Sequence, residues 1–256
     1  FANNIVFEDG DANIYSYGIH GSTIETDSGD DSININSSAI SSLDSDFWAL
    51  DDAEIGTGQA EAVGLENSTI NTGLGDDKIN ISAFSFGINT NSWAIRNSAI
   101  NTGSGNDVVI LNASDLAISI GEAIEPAYGA VNSSIDLGSG DDSLYINSSG
   151  SALTLGWSWE QNSIADAYGV VDSTIDTGSG NDLINIKVSS NANSNPEGRW
   201  WGGSSQVASS TGVSRSDIST GSGNDSIVVN VSSYAGLVEQ SWDNDYDYNY
   251  SGAYNY

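Results

Sequence analysis

One fourteen-residue pattern recurs six times along this chain of 256 residues, and no other feature limits its fold as severely. It reads STIETDSGDDSINI from Ser22, STINTGLGDDKINI from Ser68 and SAINTGSGNDVVIL from Ser98. Further on it reads SSIDLGSGDDSLYI from Ser133, STIDTGSGNDLINI from Ser173 and SDISTGSGNDSIVV from Ser216. A unit this short cannot bury its own apolar face, so the copies are expected to stack around one continuous core.

The columns of the repeat say what each unit is. Ile24, Ile70, Ile100, Ile135, Ile175 and Ile218 form an unbroken isoleucine column, and a serine stands two residues before each. After the Gly-rich segment come two apolar columns two residues apart. One is Ile33, Ile79, Val109, Leu144, Ile184 and Ile227; the other is Ile35, Ile81, Leu111, Ile146, Ile186 and Val229. Period-two alternation rich in β-branched residues predicts strands with one buried face. Ala62-Val63-Gly64, Ala127-Tyr128-Gly129 and Ala167-Tyr168-Gly169 mark a further strand upstream, and no segment has helical spacing with caps. The chain is therefore expected to be all-β, a single β-solenoid (β-roll or β-helix) over residues 1–256 with about six to seven coils and one edge of Gly-Asp turns.

Coil length varies. The turn glycines Gly29, Gly75, Gly105, Gly140, Gly180 and Gly223 are separated by 46, 30, 35, 40 and 43 residues, and a degenerate turn at Gly10 lies 19 residues before Gly29. A minimal coil of 19 residues leaves 11 to 27 extra residues in the others. Inserts such as Ala83-Phe84-Ser85-Phe86, Leu116-Ala117-Ile118 and Leu153-Thr154-Leu155 keep the alternation, so inserted strands or hairpins are predicted. Asn191 to Gly203, with its Asn-Pro and Gly-Gly steps around Trp200 and Trp201, reads as a surface loop. Trp48, Trp93, Trp157, Trp159 and Trp242 are expected to pack the inserts, with sugar stacking as their other use.

The ends read as halves of one coil. Placing Phe1 after Tyr256 aligns AYNY-FANNIVFEDGDANI with AYGV-VDSTIDTGSGNDLINI, which puts Ile5 in the isoleucine column. Residues 253–256 and 1–14 are thus expected to be completed head to tail by a neighbouring unit, and the absence of Met suits a unit cut from an array. A contact of that kind does not close, so it makes filaments.

Charge narrows the partners. Thirty-five acidic residues against five basic ones give a net charge of −30. That excludes nucleic acid and anionic membrane surfaces, both of which need Lys and Arg. There is no Cys, and no apolar run approaches the roughly 20 residues of a membrane span. One His and five scattered basic residues form no catalytic constellation, so no enzyme is expected. An extracellular protein whose partner is a cation remains.

The turns supply the chemistry for one. Five are Gly-x-Gly-[Asn/Asp]-Asp and the first has Asp27 in place of the leading Gly; glycines let the backbone curl and Asp adds a hard oxygen, a combination suited to Ca²⁺. Stacked coils lie about 4.8 Å apart, where two unit charges repel by about 0.9 kcal/mol even in water. These residues resemble the haemolysin-type (RTX) calcium repeat. The resemblance implies secretion and a stack of several Ca²⁺ ions between turns. The implied ligands are Asp31, Asp77, Asp107, Asp142, Asp182 and Asp225. Beside them stand Asp30, Asp76, Asn106, Asp141, Asn181 and Asn224, and the turn glycines Gly29, Gly75, Gly105, Gly140, Gly180 and Gly223. The pattern departs where the family has its first Gly: Thr stands in five turns and Leu137 in the sixth. The sequence is also similar to calcium-binding repeat proteins of bacterial surfaces, including those of filamentous cyanobacteria.

The expected function is a calcium-binding structural subunit of an extracellular filament, sheath or surface layer, with copies of itself as partner. Two alternatives are a calcium-dependent adhesin stalk that binds surface polysaccharide and an ice-binding solenoid. The second acidic run, Asp243 to Asn249, reads as an alternating Tyr strand with an acidic face.

Overall fold

The computed structural model describes residues 2–6, 13–41, 59–119, 122–156, 160–196 and 203–237. Six coils follow one another, each made of a long strand, a three-residue strand and a second long strand. The first holds β2 (Ile14–His20), β3 (Thr23–Glu25) and β4 (Ser32–Ser41), and β1 (Ala2–Val6) precedes it. The second holds β5 (Gln59–Glu66), β6 (Thr69–Asn71) and β7 (Lys78–Gly87), the third β8 (Asn89–Arg96), β9 (Ala99–Asn101) and β10 (Val108–Ser119). In the fourth are β11 (Glu122–Val131), β12 (Ser134–Asp136) and β13 (Ser143–Gly156), in the fifth β14 (Glu160–Val171), β15 (Thr174–Asp176) and β16 (Leu183–Pro196). The sixth holds β17 (Gly203–Ser214), β18 (Asp217–Ser219) and β19 (Ser226–Leu237).

Every strand pairs in parallel with its counterpart one coil away, which makes three sheets. One has seven strands in the order β1-β4-β7-β10-β13-β16-β19; the other two have six, β2-β5-β8-β11-β14-β17 and β3-β6-β9-β12-β15-β18. Among the described residues there is no helix. The protein is a parallel β-solenoid, and its repeat columns stack in register, with Ile70, Ile100, Ile135, Ile175 and Ile218 side by side in the short-strand sheet. The core lies where this column meets Ile79, Ile81, Leu111, Leu144, Ile146, Ile184 and Ile186, all fully buried. Beyond that triangle the two long-strand sheets face each other across Ala and Ser: Ala117, Ala123, Ala152, Ala165 and Ala192 are all buried. At Gly129 a Cβ would stand 2.3 Å from the Ile146 side chain, so glycine there lets the isoleucine press directly on the facing backbone.

Among the described residues, the inserts lengthen the strand after a turn together with the first long strand of the next coil, β7 with β8, β10 with β11 and β13 with β14. From the second coil to the fourth, the strand after the turn grows from 10 to 12 to 14 residues. These arms hydrogen-bond to the neighbouring coils rather than to each other, because in-register parallel partners stand on both sides. The same pairing corrects the loop expected at Asn191 to Gly203. Asn191–Ser194 stays in β16, between Ser151–Thr154 of β13 and Tyr234–Leu237 of β19, and Gly203 already begins β17. Two occupied edges outweigh the weak strand propensity of an Asn-Ser run. Within the described residues Ile5 pairs with Ile40 at the edge of β4. Residues 253–256, the Gly10 turn, the acidic run 243–249 and six of the seven tryptophans lie outside the described residues or their described side chains.

Coils turn their first corner at Gly21, Asn67, Asn97, Asn132, Asp172 and Arg215, all at positive φ. Asn and Asp tolerate this region and Arg does so rarely, but Arg215 is held by two 2.6 Å hydrogen bonds to Asp172 one coil below. The serine column clamps the corner: Ser98 Oγ donates to the Arg96 carbonyl (2.8 Å) and accepts the Ser68 amide (3.2 Å), and the other coils repeat the scheme.

Candidate functional site

The second corner of each coil is the Gly-x-Gly turn, with Asp27 at the leading position in the first coil, and it brings the predicted residues together as two continuous ladders. In the inner ladder each amide donates to the aspartate of the following coil. Asp31 N–H reaches Asp77 Oδ1, Asp77 reaches Asp107 and Asp107 reaches Asp142, each at 2.8 Å. Asp142 then reaches Asp182 at 3.0 Å and Asp182 reaches Asp225 at 3.1 Å. The outer ladder runs the opposite way. Asp76 N–H donates back to Asp30 (3.0 Å), Asn106 to Asp76 (2.7 Å), Asp141 to Asn106 (2.9 Å), Asn181 to Asp141 (2.7 Å) and Asn224 to Asn181 (3.0 Å). Each gap between turns is therefore clamped from both sides.

Glycine is what allows the turns to approach this closely. Gly140 has φ +134°, and a Cβ there would stand 1.7 Å from the Gly105 carbonyl oxygen. Backbone bonds close the remaining distance: Gly140 N–H donates to Ser179 O (2.8 Å) and Ser139 N–H to Gly103 O (2.9 Å). Several turn carbonyls that the sequence offered to an ion are thus used between coils.

What the ladders leave over is one carboxylate oxygen per inner aspartate. Oδ2 of Asp31, Asp77, Asp107, Asp142 and Asp182 is buried and has no hydrogen-bond partner. Burial costs a lone carboxylate dearly unless a cation or a proton compensates it. Accordingly Asp142 is pushed up to about 7 by burial and by the charges of Asp107, Asp182 and Asp141, against the pull of the Asp107 amide. Asp107 is raised by the same causes, burial first. The ion pairs among the described residues are His20–Glu66, Arg96–Glu61, Arg96–Glu66 and Arg215–Asp172, and none reaches the turns. This oxygen-only donor set fits a hard cation. No three acidic or histidine side chains converge among the described residues, so an ion here would be shared by the carboxylates of successive turns.

The pH dependence follows from the raised groups. In the unfolded chain Asp142 titrates near 3.9, whereas folded it holds its proton until about pH 7. Its favourable contribution is complete below the lower value and is lost as pH rises through the upper one. With divalent ions chelated, thermal midpoints should therefore rise on going from about pH 8 to about pH 5. Asp142→Asn should flatten the upper part of that rise; an unchanged profile would count against an uncompensated turn carboxylate.

Elsewhere on the surface, Trp93, Tyr128 and Tyr168 form a ladder on one long-strand sheet, with ring centres 5.4 and 4.9 Å apart and planes nearly parallel. Tyr128 stacks on Trp93, and the Arg96 guanidinium lies 4.4 Å from the Trp93 ring centre. These contacts occupy ring surface that a sugar would need. Along the turn edge the column Ser28, Leu74, Ser104, Ser139, Ser179, Ser222 is interrupted by Leu74, which is 61% exposed.

Two features escaped the sequence reading. The positive-φ corner was signalled by the Asn or Asp before most of the repeat serines. Asp115 and Glu125, both buried, were signalled by phase: each falls between alanines at the inward positions of an alternating strand. No protein-family model matches this chain, and neither the curated proteins nor the solved structures contain a match to it. Its class therefore stands on the fold, a parallel β-solenoid with one Asp/Asn turn edge.

Proposed function

We propose that this chain is a secreted calcium-binding structural protein of the haemolysin-type repeat kind, and that copies stack end to end into an extracellular filament, sheath or surface layer. One observation carries the assembly. The apolar columns that are sealed in the fifth coil (Ile184 0%, Ile186 0%, Val188 1% exposed) are bared in the sixth, where Ile227 is 49%, Val229 44% and Val231 47% exposed. Among the described residues, strands β17, β18 and β19 each end their sheet on one side. An open parallel edge of this kind invites a further strand layer, and another copy supplies one with matching columns. Because such a contact joins unlike ends, it propagates. The calcium part rests on the buried, unpartnered Oδ2 atoms of the inner ladder. The glycan-stalk and ice-binding alternatives have less support, given the stacked Trp93 and the break at Leu74.

Sedimentation and electron microscopy across a concentration series, with Ca²⁺ and with chelator, test this reading. Ca²⁺-dependent linear oligomers are expected, and Ile227→Lys with Val229→Lys should abolish them while leaving the strand signal intact. A chain that stays monomeric at high concentration with Ca²⁺ present would overturn the assembly.

A further inference from the structure

Away from the turn edge, the narrow interior between β10 of the third coil and β11 of the fourth holds two acids on facing sheets. Asp115 of β10 is 2% exposed and Glu125 of β11 is 0% exposed. Ser92 Oγ donates to Asp115 Oδ2 at 3.0 Å; the Ser92 amide and the Thr90 hydroxyl also pull on Asp115, and the Ser151 amide on Glu125, all too little to offset burial. Asp115 Oδ1 and both Glu125 oxygens are buried without a hydrogen-bond partner, as are the hydroxyls of Ser85 and Thr90. Ser85 is the register neighbour of Asp115 on one side, and Gly150 is its neighbour on the other. A Cβ at Gly150 would stand 2.6 Å from Glu125 Oε1 and 2.9 Å from the Asp166 carbonyl oxygen. Glycine at that position keeps open a space lined by oxygen.

No Lys, Arg or His pairs with either acid among the described residues. The charged groups that bear on Glu125 are Asp115 and Asp166, both of its own sign. Burial above all, with those charges added, pushes Glu125 up to about 10, and burial holds Asp115 well above the usual carboxylate range. Protonation would remove the charge but would leave Glu125 with an O–H that no acceptor answers, which burial penalises. A hard cation would satisfy both acids at once. Two carboxylates match a divalent ion in charge, and an all-oxygen set selects Ca²⁺ or Mg²⁺ over softer metals.

We propose that Asp115 and Glu125 hold one divalent hard cation inside the solenoid, in the space that Gly150 leaves free. The site shares no residue with the turn ladders and does not depend on their holding ions.

Metal content after desalting from Ca²⁺, and separately from Mg²⁺, tests it on the full chain. Glu125→Gln, Asp115→Asn and Gly150→Ala should each carry one ion per chain fewer than the parent, whereas Asp182→Asn should leave this ion in place. If the turns bind nothing, the parent should carry this ion alone and Glu125→Gln none. Infrared spectra of the parent protein give a readout that needs no variant. The carbonyl band of a buried protonated carboxyl should be absent with the ion bound and appear on chelation. Equal ion counts in the parent and in folded variants, or a protonated band that persists at saturating Ca²⁺ and Mg²⁺, would overturn the proposal.

Discussion

Chelating divalent ions at about pH 8 is expected to cost this protein most of its stability, read as a lowered thermal midpoint and loss of the strand signal in circular dichroism. An ion that binds only the folded turns stabilises them by mass action, about 2.7 kcal/mol per site at a free concentration of 100 times Kd. Two filled gaps would then supply about 5 kcal/mol, comparable with the whole stability of a typical domain, about 5–15 kcal/mol. For a domain of this size that corresponds to a midpoint shift of roughly 10–20 °C. The effect should be largest above about pH 7, where Asp142 is ionised, and smaller in acid, where a proton can replace the ion. Identical melting with and without chelator would remove calcium from the account of the turns while leaving the solenoid as described.

Gly140→Ala should be strongly damaging to the turn edge. Alanine there must adopt φ +134° and place its Cβ 1.7 Å from the Gly105 carbonyl oxygen. Backbone strain of this kind costs about 1–3 kcal/mol by itself. The clash is with backbone, so the turns must separate. Separation lengthens the Asp107–Asp142 and Asn106–Asp141 bonds across the same gap, now 2.8 and 2.9 Å, at about 1 kcal/mol each. A total near 4 kcal/mol should lower the midpoint by roughly 10 °C. Gly21→Ala is the control. Its φ is also positive (+60°), but a Cβ there meets nothing within 4 Å, so about 1–2 kcal/mol is expected. If the two substitutions cost the same, the close approach of the turns is not what fixes glycine at the second position.

Much of the candidate site was legible because stacking turns a sequence period into a spatial column. Aligning the six copies already placed Asp31, Asp77, Asp107, Asp142, Asp182 and Asp225 in one line. The alignment could not say that one oxygen of each serves the neighbouring amide while the other is left buried and unpartnered, since that depends on the separation between turns and on side-chain direction. Nor could it tell a carbonyl free for an ion from one that accepts the next coil's amide, because the two readings require the same residues.

By itself the sequence determined the fold class, the coil count and the register of the repeat columns. A one-residue slip would turn every isoleucine outward, so the apolar pattern alone fixes the pairing. The tertiary structure decided where the variable residues go. The described inserts became facing arms, Asn191–Pro196 became strand, and Ile5 took the edge of β4 beside Ile40. In each case the controlling factor is an edge offered by a neighbouring coil, which local propensity does not contain. The arms also brought Asp115 of β10 and Glu125 of β11 together. They lie ten residues apart in sequence, and only the facing of two sheets makes them one site.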